Sequence, residues 1–223
     1  MPSRARLLSV ALLSLLIDSP VSVSAQNVAL DANDSPQGYV AVLLINEVPF
    51  PGERSWESEA DSKAAMRQIL YVLDSRLHHI PPKYTQRQVA AVQTDDIITL
   101  MTTRGQIEGF YRDESGHPAT ALRVRERLDY LLGIANNGTP GTFARLLNYA
   151  QSLSRAYFAT GLTNPDLFVD LKEVMGTPVT GRAYSWMTDV GDFHPGGRFV
   201  RITDDYDGSL GGNRFFTLQK LKR

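Results

Sequence analysis

Residues 39–47 read YVAVLLINE, a mostly apolar run of nine that ends on a carboxylate and is stopped by Pro49, Pro51 and Gly52. A stretch of this kind belongs inside a core. Periodicity leaves a buried strand and a short buried helix equally open. The chain that follows is patterned as helices. Ser58 with Asp61 resembles a capping pair, and Ala65, Ile69, Val72, Leu73 and Leu77 fall on one face before His78-His79-Ile80-Pro81-Pro82 closes the helix.

Residues 94–102 read as a further helix, with Thr94 as cap and Asp95 and Asp96 in the first turn. Residues 121–135 carry a Leu122, Leu128, Leu131 and Leu132 stripe, ended by Asn136-Asn137-Gly138. Residues 142–160 are helical again, and a short helix is expected over 166–174. The tail changes character. Residues 198–202 alternate like a strand, Asp207-Gly208 and Gly211-Gly212 are turn signals, and 214–218 read as a second strand. The expected fold class is mainly α (α+β), with a small C-terminal β element.

The N-terminus predicts an exported chain. Arg4 and Arg6 precede an eleven-residue apolar run at 7–17, too short to span a bilayer. Val23-Ser24-Ala25 then offers small residues for cleavage before Gln26. Residues 26–37 are polar and read as a flexible lead-in to a single domain over 38–223. Removing residues 1–25 from the 223 leaves 198 and takes the net charge from −1 to −2. That balance makes no electrostatic case for nucleic acid or an anionic membrane. The chain has no cysteine, which excludes a disulfide scaffold or cysteine-ligated metal and fits a bacterial periplasm or cell surface. No other segment is long enough for a stable membrane span, and nothing speaks to oligomeric state.

Glu47 and Glu53 stand six residues apart across the Pro/Gly break. At the end of an apolar run Glu47 would be desolvated, and at a helix C-terminus it would face the negative end of the dipole. Both effects raise a carboxyl pKa and suit a general acid. A solvated acid at the end of an element is the alternative. Tyr111, Tyr184 and Trp186 offer flat rings with polar tips that suit sugar faces, whereas Phe110 reads as core. His78, His79, His117 and His194 form no zinc motif, no Gly-x-Ser-x-Gly turn exists, and no glycine loop cradles phosphate. No cofactor and no metal are expected. Arg123-Val124-Arg125-Glu126-Arg127 reads as a solvated helix face, and His194-Pro195-Gly196-Gly197 as a turn.

Glu47, Gly52-Glu53, the helix around Ala64-Ala65-Met66 and Ser75-Arg76 resemble the opening of the bacterial cell-wall hydrolase family that includes spore-cortex-lytic enzymes. Gly105-Gln106-Ile107-Glu108-Gly109-Phe110 is similar to that family's Gly-Gln-Phe segment, and Gly211-Gly212-Asn213-Arg214-Phe215-Phe216 to its closing Gly-aromatic strand. The glutamates are six apart rather than four, Asp74-Ser75 replaces an apolar-Asn pair, and residues 120–195 match poorly. The resemblance implies a lysozyme-like helical domain acting on peptidoglycan glycan strands. The reaction implied is cleavage of the β-1,4 bond between N-acetylmuramic acid and N-acetylglucosamine by a hydrolase or lytic transglycosylase. It puts Glu47 in the catalytic position, with Glu53 in a lesser role and Gln106 near the substrate. Non-catalytic glycan binding and an envelope protein-interaction domain are the rival expectations.

Overall fold

A computed structural model of the chain describes residues 27–137, 141–163, 166–188 and 194–221. The proposed export signal at 1–25 lies outside the described residues. At 43% helix against 15% strand, the chain is an α+β mixture weighted to helix. Six helices, α1 (Pro36–Asn46), α2 (Glu59–His78), α3 (Gln86–Ala90), α4 (Ile97–Thr102), α5 (Leu122–Asn136) and α6 (Thr142–Thr160), form the body. A hairpin pairs β1 (Phe110–Arg112) with β2 (Pro118–Thr120), and a tight turn joins β3 (Glu173–Val174) to β4 (Thr177–Pro178). The C-terminal antiparallel sheet runs β5 (Ser185–Thr188), β8 (Asn213–Leu218), β6 (Phe199–Arg201), with β7 (Ser209–Leu210) also on β8.

The run at 39–47 resolves as helix. Its start lies just outside the apolar run. Ser35 caps the helix by accepting from Gly38 N at 3.0 Å, and Pro36 occupies the first turn. Gly38 through Ile45 are all buried, and α2, α4, α5 and α6 pack around them. Each buried Leu, Val or Ile side chain contributes about 1.5–3 kcal/mol relative to exposure, so α1 is the axis of the core. Tyr39 ties this axis to the β1–β2 hairpin. Its hydroxyl donates to Ala119 O at 2.8 Å and Tyr111 O at 3.2 Å, and burial pushes its pKa up to about 12.

The reading of 26–37 as a flexible lead-in is corrected for its described part. Val28 N donates to Asn136 Oδ1 at 2.7 Å, Asp31 N to Gln151 Oε1 at 2.7 Å, and Arg155 Nε to Asp31 Oδ2 at 2.9 Å. Residues 27–35 are therefore docked on α5 and α6. The helix expected over 166–174 is also corrected. Asp166 closes a turn by accepting from Phe168 N at 2.9 Å, and Met175 and Gly176, both at positive φ, make the hairpin turn between β3 and β4. The helix expected at 94–102 begins later, because Asp96 rather than Thr94 accepts from Ile98 N and Thr99 N. Among the described residues no helix is long and apolar enough to cross a membrane.

The docked lead-in presses on α1. A Cβ at Gly38 would stand 2.1 Å from Ala32 O, so only glycine allows this approach. Gly38→Ala is expected to cost about 2–3 kcal/mol by urea unfolding. An unchanged midpoint would mean that residues 27–35 do not pack over the start of α1.

Candidate active site

Glu47 follows the last residue of α1, with its backbone N–H donating to Leu43 O at 3.0 Å. A buried helix end must find donors for its remaining carbonyls. Arg127 of α5 supplies one, giving Nη1 to Ile45 O at 2.7 Å, and reaches past the helix end with Nη2 to Val48 O at 2.9 Å. Asn213 at the start of β8 donates from Nδ2 to Glu47 O at 2.6 Å. Residues far apart in sequence thus converge on the tip of α1 and fix the backbone of the acid.

The carboxyl group is fixed as firmly. Trp186 on β5 donates from Nε1 to Glu47 Oε2 at 2.9 Å, and Asn46 Nδ2 donates to Oε1 at 3.2 Å. Glu47 keeps some surface open to a cleft of about 790 Å³, yet heavy atoms crowd the carboxyl from behind. That desolvation raises its pKa above the ordinary carboxylate range, outweighing the lowering by Trp186, Asn46, Arg127 and Arg123. Glu47 also lines an adjoining hollow of about 250 Å³, in company with Glu53, Arg54 and Gly212.

Glu53 is differently placed. Its Oε1 accepts from Arg127 Nε at 3.1 Å, and its Oε2 from Arg127 Nη2 at 2.8 Å and Phe50 N at 2.7 Å. Both oxygens are committed to closing the Pro/Gly turn beneath the tip of α1. Arg127 itself lies over the Phe50 ring at 5.5 Å.

Gln106 and Trp186 line the cleft with Glu47. They meet through Arg76, near the end of α2. Its Nη1 donates to Gln106 Oε1 at 3.2 Å, its Nε donates to Tyr184 O at 2.6 Å, and its guanidinium stands 5.6 Å over the Trp186 ring. Gln106 thus steadies Arg76, and Arg76 backs the indole that holds the acid. Burial pulls Arg76 down to about 10.

Tyr184 and Tyr111 are corrections. Tyr184, just before β5, is buried in a separate apolar cluster with Val89 and Leu218, its hydroxyl donating to His79 O at 2.7 Å, and it does not line the cleft. Tyr111 is half exposed on β1 and is not among the cleft residues. Phe110 is core, edge-on to Tyr39. Arg127, within the segment read as a solvated face, is instead the capping group, while Arg123 pairs with Glu108 at 2.9 Å. His194 sits in a turn, its Nδ1 accepting from Gly196 N at 2.9 Å. Among the described residues no group of His, Asp or Glu is arranged to hold a metal ion.

Asn213, Asn46 and Arg76 carry roles that residue type alone does not signal. The only hint is that a buried helix end implies donors somewhere in the chain. No family model, no curated protein and no solved structure matches this chain.

The raised pKa has a consequence for stability. The folded state holds the Glu47 proton to higher pH than the unfolded chain does. This group's contribution is therefore most favourable below the ordinary carboxyl pKa of about 4.3 and declines as pH rises through the folded midpoint. Glu47→Gln, neutral at every pH, is expected to match the parent in urea midpoint near pH 4 and to exceed it at pH 7.5. Equal midpoints at both pH values would show that the carboxyl is well solvated.

Proposed function

We propose that this chain is an exported, lysozyme-like peptidoglycan glycosidase, and specifically a lytic transglycosylase, with Glu47 as its general acid and base. The observation that carries the reading is a single desolvated carboxyl, held by Trp186 Nε1 at 2.9 Å and open to the cleft. A raised pKa keeps such a group protonated at higher pH than a solvated carboxyl, as a general acid requires. The hollows that share Glu47 suit a polymer threaded past the acid, with sugars on both sides of the bond to be cut.

The reaction runs on one proton. Glu47 delivers it to the glycosidic oxygen as the C1–O bond of the muramyl sugar breaks, and the N-acetylglucosamine end leaves as an alcohol. The resulting carboxylate takes the proton from the muramyl 6-hydroxyl as that oxygen closes on C1. A 1,6-anhydro ring forms and Glu47 returns to its acid form. Trp186 and Asn46 hold the carboxylate through the exchange by donating to it. The commitment of Glu53 to Arg127 and Phe50 N favours this path over hydrolysis by a pair of carboxylates, because among the described residues no second acid is free at the tip of α1.

Purified protein incubated with cell-wall sacculi is expected to release anhydro-muropeptides. Glu47→Gln is expected to lower the rate at least about 100-fold. Glu53→Gln should keep cleavage while losing about 1–3 kcal/mol of stability, since it weakens a charge-assisted clamp. Reducing ends in place of anhydro sugars would make the enzyme a hydrolase. Cosedimentation without release would make it a glycan-binding protein. Activity that survives Glu47→Gln and disappears with Glu53→Gln would overturn the assignment of the acid.

A further inference from the structure

Asp61 lies in the first turn of α2, where a carboxylate suits the helix dipole. Its side chain also works at a distance. Ser58 caps the helix by accepting from Asp61 N at 3.0 Å, while Asp61 Oδ2 reaches across to the turn before β8 and accepts from Gly211 N at 2.7 Å. That turn is pressed onto α2. Gly211 and Gly212 both have positive φ, and a Cβ would stand 2.7 Å from Ala65 Cβ at the first and 2.6 Å from Ser55 Cβ at the second. The close approach that lets Asp61 reach Gly211 N therefore depends on this glycine pair.

The turn passes its position on to the acid. Asn213 is buried, and its amide nitrogen, which carries two donors, gives to Gly211 O at 3.0 Å and to Glu47 O at 2.6 Å. Its Oδ1 is buried and accepts from no donor among the described residues. The amide is thus held through its nitrogen, and Gly211 O fixes it against Glu47 O. The next residue of α2 acts on the other side of the acid, where Ser62 Oγ donates to Pro49 O at 2.9 Å. The start of α2 thereby grips the chain both before β8 and after Glu47.

We infer that Asp61 is a positioning residue for Glu47. By holding Gly211 N it fixes the turn, the turn orients the Asn213 amide, and that amide holds the backbone of the acid in reach of Trp186 Nε1. The catalytic consequence rests on the glycosidase reading, whereas the link from α2 to the acid does not. Removing the Asp61 carboxylate frees Gly211 N and loosens Asn213. Glu47 then gains solvent, and its titration midpoint falls toward the ordinary carboxyl value of about 4.3. An acid displaced in this way also delivers its proton more slowly, without a change in how the glycan binds.

The test compares Asp61→Ala, Asp61→Asn and Glu59→Ala with the parent. Asparagine keeps a side-chain oxygen for Gly211 N but lacks the charge. Glu59, in the same turn of α2, pairs with Lys63 and Arg145 instead, so its variant controls for a weakened helix start. For each protein, carbon-13 titration reads the Glu47 carboxyl, product release from sacculi reads turnover, and cosedimentation reads binding. Backbone resonances check the fold. Asp61→Ala is expected to lower the Glu47 midpoint and to slow release about tenfold, with cosedimentation unchanged. Asp61→Asn and Glu59→Ala are expected to keep the parent's midpoint and rate. A parent-like midpoint in Asp61→Ala would overturn the link, as would an equal change in Glu59→Ala. Equal changes in Asp61→Ala and Asp61→Asn would overturn it too, since a lost charge acts on Glu47 through space in both variants alike. If the parent does not cut sacculi, the glycosidase reading falls and the titration alone decides the link.

Discussion

The burial of α1 governs the rest of the molecule. A helix apolar on every side must be surrounded, and α2, α4, α5 and α6 surround it. Its C-terminal carbonyls then point into protein rather than water, and each needs a donor. Arg127 donates to Ile45 O and, just past the helix, to Val48 O, and Asn213 donates to Glu47 O. The same bonds that satisfy the helix end also hold Glu47 at the lip of the cleft. Core packing and placement of the acid are thus one arrangement seen from two sides.

The groups around that acid form a connected set. Gln106 holds Arg76, Arg76 lies over Trp186, and Trp186 holds the Glu47 carboxyl. Trp186 sits opposite Phe215 in the β5–β8 pairing, so the sheet presents its indole to the end of α1. The small β element is what brings the acid's partner to it, while the helical body supplies the acid and the cation. This division of labour explains why a chain weighted to helix needs its C-terminal strands at the site.

Much of the helical body is legible in the sequence, because the signals are local. Ser58 caps α2 through Asp61 N, and the leucine stripe of α5 and the bounds of α6 follow from their periodicity. The strands at β6 and β8 are visible in their alternation. The state of α1 is harder to read, since Val40, Val42 and Ile45 are as much at home in a strand. The deciding cap at Ser35-Pro36 falls inside a segment that composition marks as a linker. The capping box of Thr85 with Gln88 starts α3 and is equally local, but it follows a proline pair that reads as a break. The acid itself is legible, as the polar end of an apolar run. Its supports are not. Arg127 is one charge in a mixed run, Tyr184 and Trp186 are alike as aromatics until packing buries one away from the cleft, and Arg76 shows its role only once Gln106 and Trp186 stand beside it.

The account stands or falls on the protonation of one side chain. Carbon-13 titration of the Glu47 side-chain carboxyl in the folded protein, assigned by comparison with Glu47→Gln, measures it directly. Burial at the tip of α1 predicts a midpoint clearly above the ordinary value of about 4.3. A midpoint at or below that value would contradict the claim that this carboxyl is desolvated.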